Sequence, residues 1–92
     1  MTDGRVDRDD RIDPIAPVPP YRQIADIIRR RITSGKYPPD MRIPTESEMV
    51  EEFEVARTTA RRAVGVLRDE GLIYTVPNRG SYVSRQTPMS AR

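Results

Sequence analysis

The sequence predicts a mainly α-helical domain in which three helices are followed by a small β-hairpin. Apolar residues recur at helical spacing in three separate stretches. Prolines and glycines separate those stretches, and two β-rich segments flank the turn sequence PNRG near the C-terminus. A chain of 92 residues provides enough length for one such small domain.

The first 19 residues are predicted to form a disordered arm, because they are charged at first and then rich in proline. The first helix begins at Pro20, since a proline in the first turn loses no hydrogen bond. Gly35 suits the left-handed position that follows a helix. The apolar stripe of this helix repeats every four residues, at Ile24, Ile28 and Ile32.

The second helix is predicted to begin at the sequence TESE. Thr45 can accept a hydrogen bond from the N–H of Glu48, and the Glu48 side chain can reach back to Thr45. Three prolines before this point exclude a helix and leave room for one short strand, Met41 to Ile43. The helix is short, because Glu54 and Val55 resemble a turn.

The third helix is predicted from about Arg57 to Glu70, with Gly71 as its end. Its apolar residues share one face: Ala60, Ala63, Val64 and Leu67. The hairpin that follows pairs residues 73–76 with 81–84. Two helices joined by a tight turn and followed by a wing of two or three strands describe a winged helix-turn-helix at 20–85, with a flexible tail at 86–92.

The composition argues against an enzyme. Histidine and cysteine are absent, which removes the commonest general base and the commonest metal ligands. We expect no catalytic residue, no cofactor and no metal site, and we interpret the five glutamates between residues 46 and 54 as a solvated face. No apolar run is long enough to span a membrane and no signal peptide is present, so the prediction is a cytoplasmic protein without a membrane partner.

The charges change sign between the second and third helices. Every charge in residues 43–55 is negative, and every charge in residues 56–68 is positive. Arginine at the start of a helix opposes the helix dipole, so an anion is expected nearby. Arg57 and Arg61 are predicted to read bases, because the arginine fork can pair with O6 and N7 of guanine in the major groove. Thr58 and Thr59 are predicted to contact phosphates.

Three further arginines receive different interpretations. Arg79 lies at the predicted hairpin tip beside Gly80, where it can enter a minor groove. Arg62 and Arg68 can simply pair with nearby glutamates. Arg68 lies about 16 Å along the helix from Arg57, so we assign it to the surface or at most to a flanking phosphate. The alternative for the whole arginine face is a protein-interaction module that docks an acidic partner.

The segments RIPTESEM, VARTTARRAV and EGLI…NRGSYV together resemble the DNA-binding domain of the GntR family of bacterial transcription regulators, across residues 20–83. The resemblance implies a winged helix that reads operator DNA, usually an inverted repeat, as a dimer. We expect a sequence-specific regulator that represses transcription. The resemblance implies the roles given above for the site residues, and it places Tyr21 near the DNA backbone. A partly buried core tyrosine is the alternative for Tyr21.

This chain departs from the family pattern at three positions. Ser47 stands where arginine is usual, so its contact with DNA is expected to be weaker. Ala56 replaces a serine or threonine, which removes a helix cap typically worth ~1 kcal/mol. Asn78 replaces glycine in the wing turn, and asparagine tolerates a positive φ. The family's larger C-terminal domain is not recognisable in these 92 residues, so we expect a stand-alone module without an effector site that needs a homodimer contact or cooperative binding.

Overall fold

The computed structural model describes residues 10–85 and confirms the predicted winged helix-turn-helix. Three helices, α1 (Pro20–Thr33), α2 (Glu46–Phe53) and α3 (Arg57–Asp69), precede a hairpin of β1 (Ile73–Val76) and β2 (Gly80–Val83). The strands are antiparallel, with Thr75 opposite Ser81. The short strand expected before α2 is a single bridge between Arg42 and Tyr82, so the sheet has two strands within the described residues.

The helix ends follow the local signals of the sequence. The Glu48 N–H donates to Thr45 Oγ1 over 3.1 Å, and the Thr45 N–H donates to Glu48 Oε1 over 2.8 Å, which confirms the capping box of α2. At the start of α3, Ala56 has no side-chain oxygen and provides no such cap. Glu54 is left-handed, with a φ of 55°. This residue makes the tight turn between α2 and α3.

The core forms where α1 packs against α3. Three small side chains of these two helices are almost completely buried: Ala25, Ala60 and Ala63. Ile73 and Val83, which face each other in the hairpin, also belong to this core. The hairpin is therefore attached to the three helices through its first residue pair.

The hairpin is also held by the loop that precedes α2. The Ile43 N–H donates to the Ser81 carbonyl, and the Val83 N–H donates to the Met41 carbonyl, each over 2.9 Å. Gly80 has a φ of 130°, and a Cβ at this position would lie 3.2 Å from Cδ of Arg42. The positive φ favours glycine at the start of β2, and a larger residue would also displace the Arg42 side chain slightly.

A buried arginine connects α1, α2 and the N-terminal arm. The Arg31 side chain is 9% exposed, and its Nη2 lies 2.8 Å from Asp10 Oδ2 and 2.6 Å from Glu52 Oε2. Arg31 Nη1 donates to the Tyr37 hydroxyl over 2.6 Å. Burial disfavours the charge of Arg31, but the hydrogen bonds to Glu52, Asp10 and Tyr37 outweigh that effect and raise its pKa. The guanidinium charge of Arg31 can remain buried because its ion pairs and hydrogen bonds compensate for the loss of water.

The arm differs from the predicted disorder in its described part, residues 10–19. Asp10 binds Arg31, and Ile12 packs against the core. The Asp13 N–H donates to Gln23 Oε1 over 2.8 Å, and Gln23 Nε2 donates to the Asp13 carbonyl over 2.9 Å. The physical reason is that the arm has specific partners on α1, which its charged composition does not reveal. Residues 1–9 and the predicted tail at 86–92 lie outside the described residues.

Removing the arm as far as Asp13 is expected to destabilise the protein. Deletion of residues 1–13 takes away Asp10 and leaves Arg31 with fewer partners, and a lost hydrogen bond to a charged group costs ~1.5–3 kcal/mol. Thermal unfolding followed by circular dichroism measures the change. Deletion of residues 1–9 alone is the matched control, because the two truncated chains then differ only in residues 10–13. Equal melting temperatures for the two truncated chains would contradict the packing of the arm.

Candidate nucleic-acid interface

The outward face of α3 presents its first arginines to solvent. The side chains of Arg57 and Arg61 are 54% and 63% exposed. They lie one turn apart, while Ala60, Ala63 and Leu67 of the same helix are completely buried. The structure therefore brings together the two residues for which the sequence predicts base contacts.

The first turn of α2 lies against these two arginines. Glu46 Oε1 is 3.7 Å from Arg57 Nη1 and 3.6 Å from Arg61 Nη2. Arg57 Nη2 donates a hydrogen bond to Ser47 Oγ over 3.0 Å. The prediction that Glu46 belongs to a solvated face is wrong in detail, because the tight turn at Glu54 folds α2 back beside α3. Glu46 and Ser47 instead restrict the positions of the two guanidinium groups.

A second depression lies where α1 and α3 begin. It is lined by Tyr21, Thr58, Thr59 and Arg62, with Pro19 and Pro20. The Arg62 guanidinium carbon is 4.2 Å from the centre of the Tyr21 ring, so the contact formed is a cation–π contact and not the alternative pairing with a glutamate. Tyr21 is half-buried and packs against the core. The ring both packs against the core and lines this depression. A core position and a position near the DNA backbone are therefore compatible for Tyr21.

An open cleft of about 410 Å³ separates α3 from the hairpin, and we name it the wing cleft. Arg68 Nη1 donates to Thr75 Oγ1 over 3.2 Å, and Thr75 Oγ1 is 2.9 Å from Ser81 Oγ. Arg79 is exposed at the hairpin turn, beside Asn78 with its left-handed φ of 65°. The residues of α3 and the hairpin that line the cleft include Arg57, Arg68, Thr75, Arg79, Gly80 and Ser81.

Sequence reasoning missed the place of Arg68 in this cleft. The axial distance from Arg57 and a possible pairing with glutamates left Arg68 on the surface or at most at a flanking phosphate, and neither criterion took account of the hairpin that folds back along α3. The residue pair Thr75 and Ser81 provided a signal, because two hydroxyls directly opposite each other on a hairpin can hold a neighbouring guanidinium group.

Several carboxylates form ion pairs with arginines that lie outside the exposed face of α3. Asp10 and Glu52 bind Arg31, as described above. Arg29 binds Asp26 and Glu70. Within the described residues, Glu46 is the carboxylate that ion-pairs with the exposed arginines of the first turns of α3. The surface around Arg57 and Arg61 is consequently suited to an anionic partner.

Residues 10–85 contain no group of three or more acidic, histidine or cysteine side chains arranged to hold a metal ion. No helix in this range is long and apolar enough to cross a bilayer. The whole sequence lacks histidine and cysteine.

Residues 20–83 match the family model described as bacterial regulatory proteins, gntR family. The chain belongs to the GntR family. It is 40% identical over 70 residues to the HTH-type transcriptional repressor NagR of Bacillus subtilis, covering 76% of this chain and 29% of NagR. It is 41% identical over 71 residues to the arabinose metabolism transcriptional repressor of Geobacillus stearothermophilus, covering 77% of this chain and 20% of that protein. The chain thus spans less than a third of the length of these curated relatives.

Solved GntR-type structures share the fold. The AraR DNA-binding domain in complex with operator ORE1 superimposes with a TM-score of 0.71 and 42% sequence identity, covering 73% of this chain and 82% of that chain. YtrA from Sulfolobus acidocaldarius, a GntR-family transcription factor, gives a TM-score of 0.75 and 31% identity, covering 87% of this chain and 84% of that one. The winged helix-turn-helix of this GntR domain is therefore shown by structure as well as by sequence.

Glu46→Gln is expected to increase the affinity of this GntR domain for heparin, a generic polyanion. The change removes the carboxylate between Arg57 and Arg61, and exposed ion pairs of this kind contribute ~0.2–1 kcal/mol each. The NaCl concentration at which the protein elutes from a heparin column measures the effect. Glu51→Gln is the matched control, since Glu51 is an exposed residue of the same helix. An equal shift for the two variants would show that net charge alone matters.

Proposed function

We propose that this chain binds duplex DNA at specific sequences and represses transcription. The observation that carries the proposal is the pair of exposed arginines on the first turns of α3, Arg57 and Arg61, opposite a completely buried face. Membership of the GntR family, relatives named as repressors and the operator-bound AraR domain support the same function. Binding of this kind would require no catalytic residue. The proposed function places the chain in the cytoplasm, because bacterial chromosomal DNA lies in that compartment.

In the proposed complex, α3 enters the major groove with its N-terminus leading. The groove is about 12 Å wide and admits one helix. Arg57 and Arg61 then reach base edges, where each can donate two hydrogen bonds to a guanine. The hydrogen bond from Arg57 to Ser47 restricts the guanidinium group before DNA arrives. Less side-chain entropy is then lost on binding.

The depression between the starts of α1 and α3 would receive the DNA backbone. Two helix N-termini meet there, and each favours a negative charge. Thr58, Thr59 and Tyr21 provide hydroxyl groups beside the positive charge of Arg62. We propose that these groups, together with Ser47 at the start of α2, contact phosphates and fix the orientation of α3.

The hairpin tip would enter the neighbouring minor groove. Arg79 is exposed at the turn, and Gly80 follows it without a side chain. Narrow minor grooves of A·T-rich sequence have an enhanced negative potential that attracts arginine. Arg79 and Gly80 therefore form the second contact region of the proposed complex.

A homodimer on an inverted repeat is the proposed mode of binding. One winged helix buries a modest area on DNA, and two copies at matched half-sites combine their affinities. Size-exclusion chromatography with light scattering, with and without the operator, tests whether the dimer forms before binding or on the DNA. We propose no effector site among the described residues.

Arg57→Ala and Arg61→Ala are each expected to relax specificity at particular base positions. Each bidentate arginine–guanine pair contributes roughly 1–3 kcal/mol of discrimination. Selection from a random pool of duplexes, followed by sequencing, measures the preference at each position. Arg30→Ala is the control, because it removes one exposed positive charge from α1 and is expected to leave the selected motif unchanged.

The outcome of that selection also separates the two candidate functions. A module that docks an acidic protein would bind polyanions without preference, so a wild-type selection that returns no motif would refute sequence-specific recognition. A motif that survives both arginine substitutions would refute the assignment of Arg57 and Arg61 as the reading residues.

Arg79→Ala is expected to weaken binding mainly to operators with A·T-rich flanks. The narrow groove of such flanks concentrates the potential that Arg79 would meet. Fluorescence anisotropy with two duplexes that share the selected motif and differ in their flanks measures the effect. An equal loss of affinity for G·C-rich flanks would contradict the placement of the wing in the minor groove.

A further inference from the structure

The wing cleft contains an arginine to which the proposed contacts assign no role. We propose that Arg68, oriented by Thr75 and Ser81, binds a phosphate of the DNA strand that passes between α3 and the hairpin. This inference rests on the proposed function, in which α3 and the hairpin tip occupy adjacent grooves of one duplex. The ligand is therefore a phosphodiester of that duplex.

The shape of the cleft supports this site. A single sugar–phosphate strand separates a major groove from the neighbouring minor groove. When α3 lies in one groove and the hairpin tip in the other, that strand runs through the opening between them. The wing cleft is this opening, and its lining places Arg57 on α3 and Arg79 on the turn, with Arg68 between α3 and β1.

The distance along α3 agrees with a backbone contact. Arg68 follows Arg57 by eleven residues, which corresponds to roughly 16 Å of helix. The major groove is only about 12 Å wide. An arginine so far from the base-reading end lies at the level of the backbone and not at the base edges. The axial distance that excluded Arg68 from base reading thus favours a phosphate contact.

Thr75 and Ser81 orient the guanidinium group. The Arg68 Nη1 group donates to Thr75 Oγ1 over 3.2 Å, and the Thr75 hydroxyl lies 2.9 Å from that of Ser81. Arginine has five N–H donors, and Thr75 accepts from one of the two terminal nitrogens. The planar fork is therefore anchored at one end, in a position from which it can offer paired N–H groups to phosphate oxygens.

Arg68→Ala tests the phosphate contact. Binding to the selected duplex and to a scrambled duplex is measured by fluorescence anisotropy at several salt concentrations. We expect a roughly tenfold loss of affinity, equivalent to about 1.4 kcal/mol, that is similar for both duplexes. The slope of log K against log salt is expected to become less steep by about 0.9. Arg30→Ala is the matched control for lost charge and is expected to keep the wild-type slope.

Neutral phosphates locate the contact on the DNA. Methylphosphonate substitution at one phosphate at a time, along the strand between the two grooves, removes single negative charges. One substitution is expected to weaken binding of the wild-type protein roughly tenfold, in line with the cost of the lost contact, and to have no further effect on Arg68→Ala. Additive losses at every position would overturn the proposed pairing.

Thr75→Val tests the orienting role, because valine keeps the branched shape and removes the hydroxyl. It is expected to weaken binding when Arg68 is present and to add no loss in the Arg68→Ala background. Equal losses in the two backgrounds would show that Thr75 does not act through Arg68. Ser81→Ala is expected to behave in the same way with a smaller effect.

The remaining outcomes distinguish this inference from the proposed function. If the wild-type protein selects no motif, the proposed function itself fails. If it selects a motif and Arg68→Ala leaves affinity and salt slope unchanged, only the phosphate site is overturned. Should Arg68→Ala lower the melting temperature, Arg68→Lys retains the charge without the planar fork. That variant is expected to keep the salt slope and lose part of the affinity, and full wild-type affinity would refute a requirement for arginine.

Discussion

The close packing of α1 against α3 is the constraint on which the rest of the structure depends. Both helices contribute small, almost completely buried side chains to the core, Ala25 from α1 and Ala60 and Ala63 from α3, and small side chains favour a close approach of helices. This packing fixes the rotation of α3 about its own axis. Because the apolar stripe must face inward, Arg57 and Arg61 must face outward, and turning the helix would bury a charge at a large cost. The exposed arginine surface is thus a consequence of how the core is filled.

Features that depend on neighbours in sequence could be predicted, and features that depend on tertiary contacts could not. The capping box at Thr45 and the left-handed turn at Asn78 are local, and both agree with the structure. The positions of Glu46 beside two arginines and of Arg68 beside the hairpin depend on how separate elements fold back on each other. Arm packing is a similar case, since the partner of Asp10 is Arg31, 21 residues away, and charge composition alone suggested disorder.

The net charge is only +2, but positive and negative side chains are unevenly distributed over the fold. Arg31 draws Asp10 and Glu52 together inside the molecule, and Arg29 holds Glu70 at the end of α3. These carboxylates are therefore paired with arginines outside the exposed surface of α3. Within the described residues, Glu46 is the carboxylate that ion-pairs with Arg57 and Arg61, so the local charge there differs from the average over the chain.

Hydrogen bonds connect the hairpin both to the loop before α2 and to α3, which has a consequence for DNA recognition. Backbone hydrogen bonds join the hairpin to residues 41 and 43, and Arg68 joins it to α3 through Thr75. In the proposed complex, the distance between the major-groove and minor-groove contacts is therefore set by the protein. A duplex whose groove spacing differs must twist or bend to satisfy both contacts, and the cost of that deformation depends on base sequence. Base pairs that no side chain contacts would then contribute to specificity, because they determine how easily the DNA fits the cleft between α3 and the wing.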